Sequence, residues 1–477
     1  MTKIHFVEAP VGAGKSFALL QHIRENSHET HIIATQTNDV SNELAAQLTN
    51  ASVINSTDSG KGKSAWKQLK EQIDDEHSVL ICNQQVVENQ FGRSVDRHLY
   101  LDEIPEVHRR LQTQSKITGY AKTLLPKIFY NNDETNTSYM RILPTPELDL
   151  IAKEGFGFFS GEDRKLMEDV ASAACSPHCL VYMETSPWRL MEAGEDRRLI
   201  FHIVKMPSIY NQFQSVTVLG ANATNSIASL IWSKFDDVQF EAHPIGNNLQ
   251  YTDLSHKAEK VNLFYFAKRS ASKTLFNDPE LGGRDFLFAA IRDTVSVMYG
   301  GNVPPHIVCF NKDFPHPERF WTIPGGEAIS PDSRGINRFK DRTLAISLAA
   351  LNDTPDTFQF FQSVFGITSE HLTTARTYER YSQFFGRTAI RDINSNETVD
   401  LIAFGEDSAL FMQSLIPGSK APVMIKIHEQ EPALNKITKT RIKDMSCEEQ
   451  REYNRNKQKE SRAKRKKAAA EAQQHAQ

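Results

Sequence analysis

Eight consecutive residues near the start of the chain have the types and spacing that grip phosphate. Ala9-Pro10-Val11-Gly12-Ala13-Gly14-Lys15-Ser16 follows the apolar run Ile4-His5-Phe6-Val7 and precedes a helical stretch around Phe17-Ala18-Leu19-Leu20. Glycines let backbone N–H groups curl round phosphate oxygens, and a helix N-terminus adds partial positive charge. In this strand–loop–helix setting Lys15 is expected to reach the β- and γ-phosphates of ATP, and Ser16 to hold Mg2+. The bland alternative is an ordinary glycine-rich turn, which the complete Gly-Lys-Ser and its flanks disfavour. The loop opens on Ala9 where the general pattern has Gly.

Two further groups extend that chemistry. Leu99-Tyr100-Leu101-Asp102-Glu103 is an apolar strand ending in two acids. Downstream of a phosphate loop, such an Asp holds Mg2+ and the adjacent Glu activates the attacking water. Taken alone, acids after a strand mean little. Far along the chain, Tyr381-Ser382-Gln383-Phe384-Phe385-Gly386-Arg387-Thr388-Ala389-Ile390-Arg391 brings two arginines near a Gln and a Gly. Phosphoryl transfer needs positive charge at the γ-phosphate, and an arginine supplied from another lobe can give it. Without the other two groups, this would read as a helix with two basic residues.

These residues need a scaffold that delivers loops to one edge. Short apolar strands alternate with helical stretches over the first hundred residues: Thr30–Ala34, helix Val40–Leu48, Ser78–Cys82 and His98–Leu101. Such alternation implies βαβ units and a parallel sheet. Between about 105 and 215 the pattern loosens and reads as an insertion of helices and loops. A second α/β stretch begins near Lys260–Phe264, contains Ile307–Phe310 and Leu344–Leu348, and ends near Val423–Ile427. Beyond it, Ser446-Cys447-Glu448-Glu449 fits a capping box opening a charged, exposed helix.

At roughly 100–200 residues per domain, 477 residues allow two to four domains. Hydrophobic content of 39% and charged content of 24% suit a globular protein, and no apolar run approaches the ~18–20 residues of a membrane span. The N-terminus runs directly into a strand, leaving no room for a signal peptide. Five cysteines without framework spacing suggest reduced thiols in the cytoplasm. Cys175, Cys179 and His178 lack the second ligand pair that a structural zinc site wants. Net charge is −4, yet residues 436–467 hold 13 Lys and Arg against 5 Asp and Glu, a local +8, leaving −12 elsewhere. Nucleic-acid binding can be argued from the tail's charge and not from the total.

In this order the motifs resemble those of superfamily two helicases and translocases, the DEAD/DEAH-like group, with a general look of phage- or plasmid-encoded members. Ala9–Ser16 is similar to motif I, Asp102-Glu103-Ile104-Pro105 to motif II, and Gln383-x-x-Gly386-Arg387 to motif VI, with Arg391 one residue later than usual. Ala34-Thr35-Gln36-Thr37 resembles motif Ia, Ile307–Asn311 motif IV and Ser333–Arg338 motif V. Leu219-Gly220-Ala221-Asn222 and Glu184-Thr185-Ser186-Pro187 compete for motif III. The upstream adenine-reading glutamine motif is missing. The resemblance implies two RecA-like P-loop lobes with parallel sheets: residues 1–240 with an insertion in lobe one, residues 241–430, and a basic, partly disordered or helical tail over 431–477. It implies ATP and Mg2+ as ligands, with Glu103, Gln383 and Arg387 or Arg391 in the catalytic set. Nucleic acid would be the partner, DNA favoured over RNA and contacted through the Ia, IV and V loops. Protein partners would dock through the insertion or tail. The alternatives are an ATPase motor without strand separation, or a nucleotide-gated recruitment protein.

Overall fold

The computed structural model describes residues 2–427 apart from 56–63, 75–78, 120, 130–137, 156, 158, 160, 236, 313, 315 and 333–337. The motif V stretch lies outside the described residues except for Arg338, and the basic tail with its capping box lies wholly outside them. The chain lays down β1 (Thr2–Glu8), β2 (His31–Thr35), β3 (Ala51–Ile54), β4 (Val79–Asn83) and β5 (Val95–Asp102). It then makes four strands of a separate sheet, β6 (His108–Gln112), β7 (Tyr139–Ile142), β8 (Cys179–Glu184) and β9 (Ile200–Lys205). It returns for β10 (Phe213–Gly220) and β11 (Val238–Ala242). The first sheet is parallel, in the order β11-β1-β10-β5-β2-β4-β3. Its last strand straddles residue 240.

Parallel strands are covered on both faces, so their sequences run apolar without alternation. Val7, Ile33, Ile81 and Leu219 share one core with Ala18, Leu19, Leu20 and Ile23 of α1 (Lys15–Glu25). Phe6, Ile32, Leu80, Leu99, Leu101 and Val218 share the opposite core with Trp232. At roughly 1.5–3 kcal/mol per buried large aliphatic side chain, this packing holds α1, and hence the loop before it, against the C-terminal strand ends.

The insertion departs from the expected helices and loops. It is a four-stranded antiparallel sheet, β6-β9-β8-β7, backed by helices Gly161–Cys175 and Thr185–Glu192 around Leu148, Val170, Met183 and Phe201. Polar strands such as His-Arg-Arg-Leu-Gln in β6 hide the pattern: one face packs on these helices, while the other carries His108 and His202 toward the second lobe. Cys175 and Cys179 are free thiols.

Lobe two repeats the plan. β12 (Val261–Ala267), β13 (His306–Cys309), β14 (Gly326–Ile329), β15 (Leu344–Ser347), β16 (Val399–Gly405) and β17 (Val423–Met424) form a parallel sheet ordered β14-β13-β15-β16-β12-β17. Phe266, Val308, Ile346 and Ile402 pack on one face, and Leu263, Ile307, Ala345 and Leu401 on the other. The chain is thus α/β, with two RecA-like lobes. Among the described residues, no helix is long and apolar enough to cross a membrane.

Candidate functional site

The glycine loop bends through two left-handed residues, Gly12 at φ 87° and Gly14 at φ 82°. Glycine alone fits at position 12 for a second reason. A Cβ there would stand 2.6 Å from the carbonyl oxygen of Arg391 and 2.7 Å from the Tyr251 hydroxyl. Residues from beyond the first lobe therefore reach the loop directly. Tyr251 donates to the Val11 carbonyl at 3.1 Å. Ala9 N–H bonds the Gly220 carbonyl, and Ala13 N–H the Pro10 carbonyl. Lys15 Nζ donates to the carbonyls of Ala9 (2.7 Å) and Pro10 (2.9 Å). Burial lowers its pKa from the ordinary lysine value, opposed by Glu103, Glu379 and Asp102.

Asp102 ends β5 beside this loop, and Glu103 follows it. Ser16 Oγ donates to Asp102 Oδ1 at 3.3 Å. Burial pushes the Asp102 pKa up to about 6, helped by Glu103 and opposed by Lys15 and Ser16. Glu103 sits at φ 105°, a region that L-residues seldom occupy. Such strain costs on the order of 1–3 kcal/mol and persists only where the surroundings impose it. Here two backbone bonds do so: Glu103 N–H to the Leu219 carbonyl at 3.0 Å, and its own carbonyl accepting from Gln84 Nε2 at 2.8 Å.

Lobe two supplies the opposite wall. Ser369–Leu372, a π-helical stretch Thr373–Tyr378 and helix Glu379–Phe385 run on as one helix. Gln383 is 3% exposed, and its Nε2 donates to Glu379 at 3.0 Å and, across the lobes, to Glu103 Oε2 at 3.4 Å. Arg387, 4% exposed, donates to Gln383 Oε1 at 3.0 Å. The helix ends at Gly386, where a Cβ would stand 2.8 Å from Val11 Cβ. Arg391 follows on a separate 3-10 turn, Ala389–Arg391, which accounts for its late spacing. Lys15, Ser16, Asp102, Glu103, Arg387, Arg391 and Gln36 all line one cleft of about 280 Å³.

The weaker motifs sort themselves by position. Leu219 lies opposite Asp102 in the sheet register, and Gly220 opposite Glu8. The rival stretch Glu184–Pro187 belongs to the insertion, at the end of β8. Thr35 and Thr37 are engaged at the start of α2 (Asn38–Ala45), while Gln36 Nε2 bonds Gln84 Oε1 at 2.9 Å. Asn311 exchanges two hydrogen bonds with Ala350 and lines a larger groove in lobe two. Sequence reasoning missed Gln84, Tyr251 and Glu379, which carry no local signal. Only their contacts reveal them.

No protein-family model matches the chain, and no curated protein matches it. Solved structures with similar arrangements include Xpd4 from S. tokodaii, at 10% identity and TM-score 0.45, covering 87% of this chain and 93% of that one. A Dbp5 variant from S. cerevisiae, bound to RNA and ADP BeF3, is similar at 9% identity and TM-score 0.36, over 90% of this chain and 86% of that one. A hypothetical ATP-dependent RNA helicase from Sulfolobus tokodaii is similar at 12% identity and TM-score 0.21, over 87% and 90%.

Proposed function

We propose that the chain is an ATP-hydrolysing motor of the helicase or translocase type, working on nucleic acid in the cytoplasm. One observation carries the reading. Groups some 280 residues apart, Glu103 of lobe one and Gln383 of lobe two, meet through a hydrogen bond, and Glu103 lines a cleft with Lys15, Ser16, Asp102, Arg387 and Arg391.

Mg2+ fits Ser16 and Asp102. They offer paired oxygen donors, as this ion prefers, and the raised pKa of Asp102 marks a carboxylate short of compensating charge. When bound, the ion would neutralise charge developing on the phosphates. The amides of Gly12–Lys15 would receive phosphate oxygens, and Lys15 would exchange the Ala9 and Pro10 carbonyls for them. Glu103 would take the proton of the attacking water, with Gln383 fixing its carboxylate. Arg387 is our first choice for the transition-state cation and Arg391 the second. Cleft closure on ATP and reopening after hydrolysis would move one lobe against the other, with DNA favoured as the track.

ATPase activity measured with and without single-stranded DNA, RNA and duplex tests this. Stimulation by one of them, abolished in Lys15→Ala, is expected. Hydrolysis indifferent to all three would replace the motor with a nucleotide-gated recruiter. A strand-displacement assay then separates helicase from translocase.

A further inference from the structure

The insertion meets lobe two through a side-chain cluster that the catalytic reading leaves unused. Glu184 ends β8, His202 lies in β9, and Asp356 stands in the first turn of helix Pro355–Phe365. One ligand atom from each lies within 4.8 Å of the others. His202 is fully buried and stacks on Phe360, with ring centres 4.0 Å apart. Its Nδ1 is 3.1 Å from His108 Nε2, which leaves Nε2 as the nitrogen available to a ligand. Neither His202 Nε2 nor Glu184 Oε1 has a hydrogen-bond partner. Such buried polar atoms are unfavourable when left bare. Asp356 is already paired with Arg110, so Glu184 lacks a cation of its own. Burial and the neighbouring Asp356 push its pKa up to about 6.

We propose that Glu184, His202 and Asp356 bind a first-row divalent cation of the Zn2+ or Mn2+ kind, tying the insertion to lobe two. One imidazole nitrogen with two carboxylate oxygens is a donor set these ions accept. Mg2+, which favours all-oxygen octahedral shells with retained waters, suits it less.

The neighbouring rings make the site a coupled one. Arg376 can only donate, and its Nη2 meets His108 Nδ1 at 2.7 Å. Neutral His108 therefore carries its proton on Nε2 and gives it to His202 Nδ1, which puts the His202 proton on Nε2. A metal needs that nitrogen bare. On binding, each ring moves its proton from Nε2 to Nδ1, so neither imidazole gains or loses a proton overall. His202 then donates to His108, the outer hydrogen bond that metal-ligating histidines make. His108 in turn points an N–H at Arg376, donor against donor. Arg376 lets go of His108 and keeps its two 3.1 Å bonds to Asp353. Arg376 lies on the same continuous helix as Gln383, so the ion reports to the catalytic wall. That last consequence rests on the proposed ATPase, whereas the binding itself does not.

The test uses the full chain, stripped with chelator and free of nucleotide, titrated separately with Zn2+ and Mn2+ by calorimetry and elemental analysis. The expected result is a site of one ion per chain, unaffected in Lys15→Ala and Asp102→Asn. In Glu184→Gln, with folding checked by circular dichroism in chelator, that site should weaken at least about 100-fold; His202→Gln serves as a second ligand removal. Absence of such a site from the wild type, or its survival at full strength in both ligand variants, would overturn the proposal. Because ATP is absent throughout, this result and the fate of the ATPase reading are independent.

Discussion

Among the described residues, two of the contacts between the lobes could hardly differ more. At the cleft the contact is polar and close to the backbone: it includes a 3.4 Å hydrogen bond between Gln383 and Glu103, the Tyr251 hydroxyl on the Val11 carbonyl, the Gln250 N–H on the Ala13 carbonyl, and glycines that let backbone approach backbone. At the insertion it is aromatic and buried: Phe360 lies against His202, Tyr139 and Tyr182, flanked by the Arg110–Asp356 ion pair and a Tyr139–Asp356 hydrogen bond. The first costs little to break and remake. The second shares a continuous core with lobe one, through Phe360, Phe361, Ile367 and Leu372. In the proposed cycle, a molecule built this way would open at the cleft and pivot near the insertion.

That contrast predicts separable losses. The largest belongs to the cleft: if Arg387 is the transition-state cation, Arg387→Ala lowers turnover by ~10³–10⁵-fold while ATP binding survives. Single-turnover kinetics and nucleotide titration check both, and full activity in Arg387→Ala and Arg391→Ala alike would take lobe two out of the chemistry. Next comes Glu103→Gln, which keeps the shape and removes the base. A loss of ~10²–10⁴-fold is expected, with an ATP-bound state that accumulates in filter binding; unchanged turnover would end the reading of Glu103.

The brace should answer in stability instead. Phe360→Ala empties a fully buried site and should cost ~3–5 kcal/mol in denaturant melts, with turnover per folded molecule within several-fold. Lost turnover at unchanged stability would erase the distinction between the two contacts.

The smallest effect is pH-borne, and it adds lobe-one histidines to the His202 and His108 pair at the insertion. Burial lowers the pKa values of His5, His22 and His31 in lobe one. Burial, then the charges of His22, His5 and His98, takes His243 to about 4. Histidines held neutral in the fold take up protons on unfolding, so stability present above pH ~6.5 drains away as pH falls toward 4. Urea melts at pH 7 and pH 5 should show it, and His243→Asn should flatten the difference. A flat profile in the wild type would mean these rings stay accessible to protons in the fold.

What the sequence revealed divides along the same line. Lys15, Ser16, Asp102 and Glu103 were legible because each sits within a few residues of its motif partners, on a strand end that the parallel sheet fixes. The choice between Leu219–Asn222 and Glu184–Pro187 needed the register, since both follow apolar strands and only Leu219 lies opposite Asp102. The insertion's sheet was hidden because β6 carries Arg110 and His108, whose partners Asp356 and Arg376 come from some 250 residues away, beside Arg109, which pairs with Asp169. No local period encodes that pairing. Gln84 and Tyr251 act through hydrogen bonds to backbone carbonyls, a use that residue type alone does not announce.

The π-helical stretch Thr373–Tyr378 has a consequence in angular phase. A π turn holds an extra residue relative to the α-helix around it, and each residue of an α-helix advances the azimuth by about 100°. The direction in which Gln383 points is therefore set upstream, by that surplus, and not by its own neighbours. Winding Thr373–Tyr378 as plain α with its residue count unchanged would swing the Gln383 face by about 100°, away from Glu103, whereas deleting the surplus residue would leave that face where it is. The aim of the catalytic wall is stored as a count of residues in a turn that touches no phosphate.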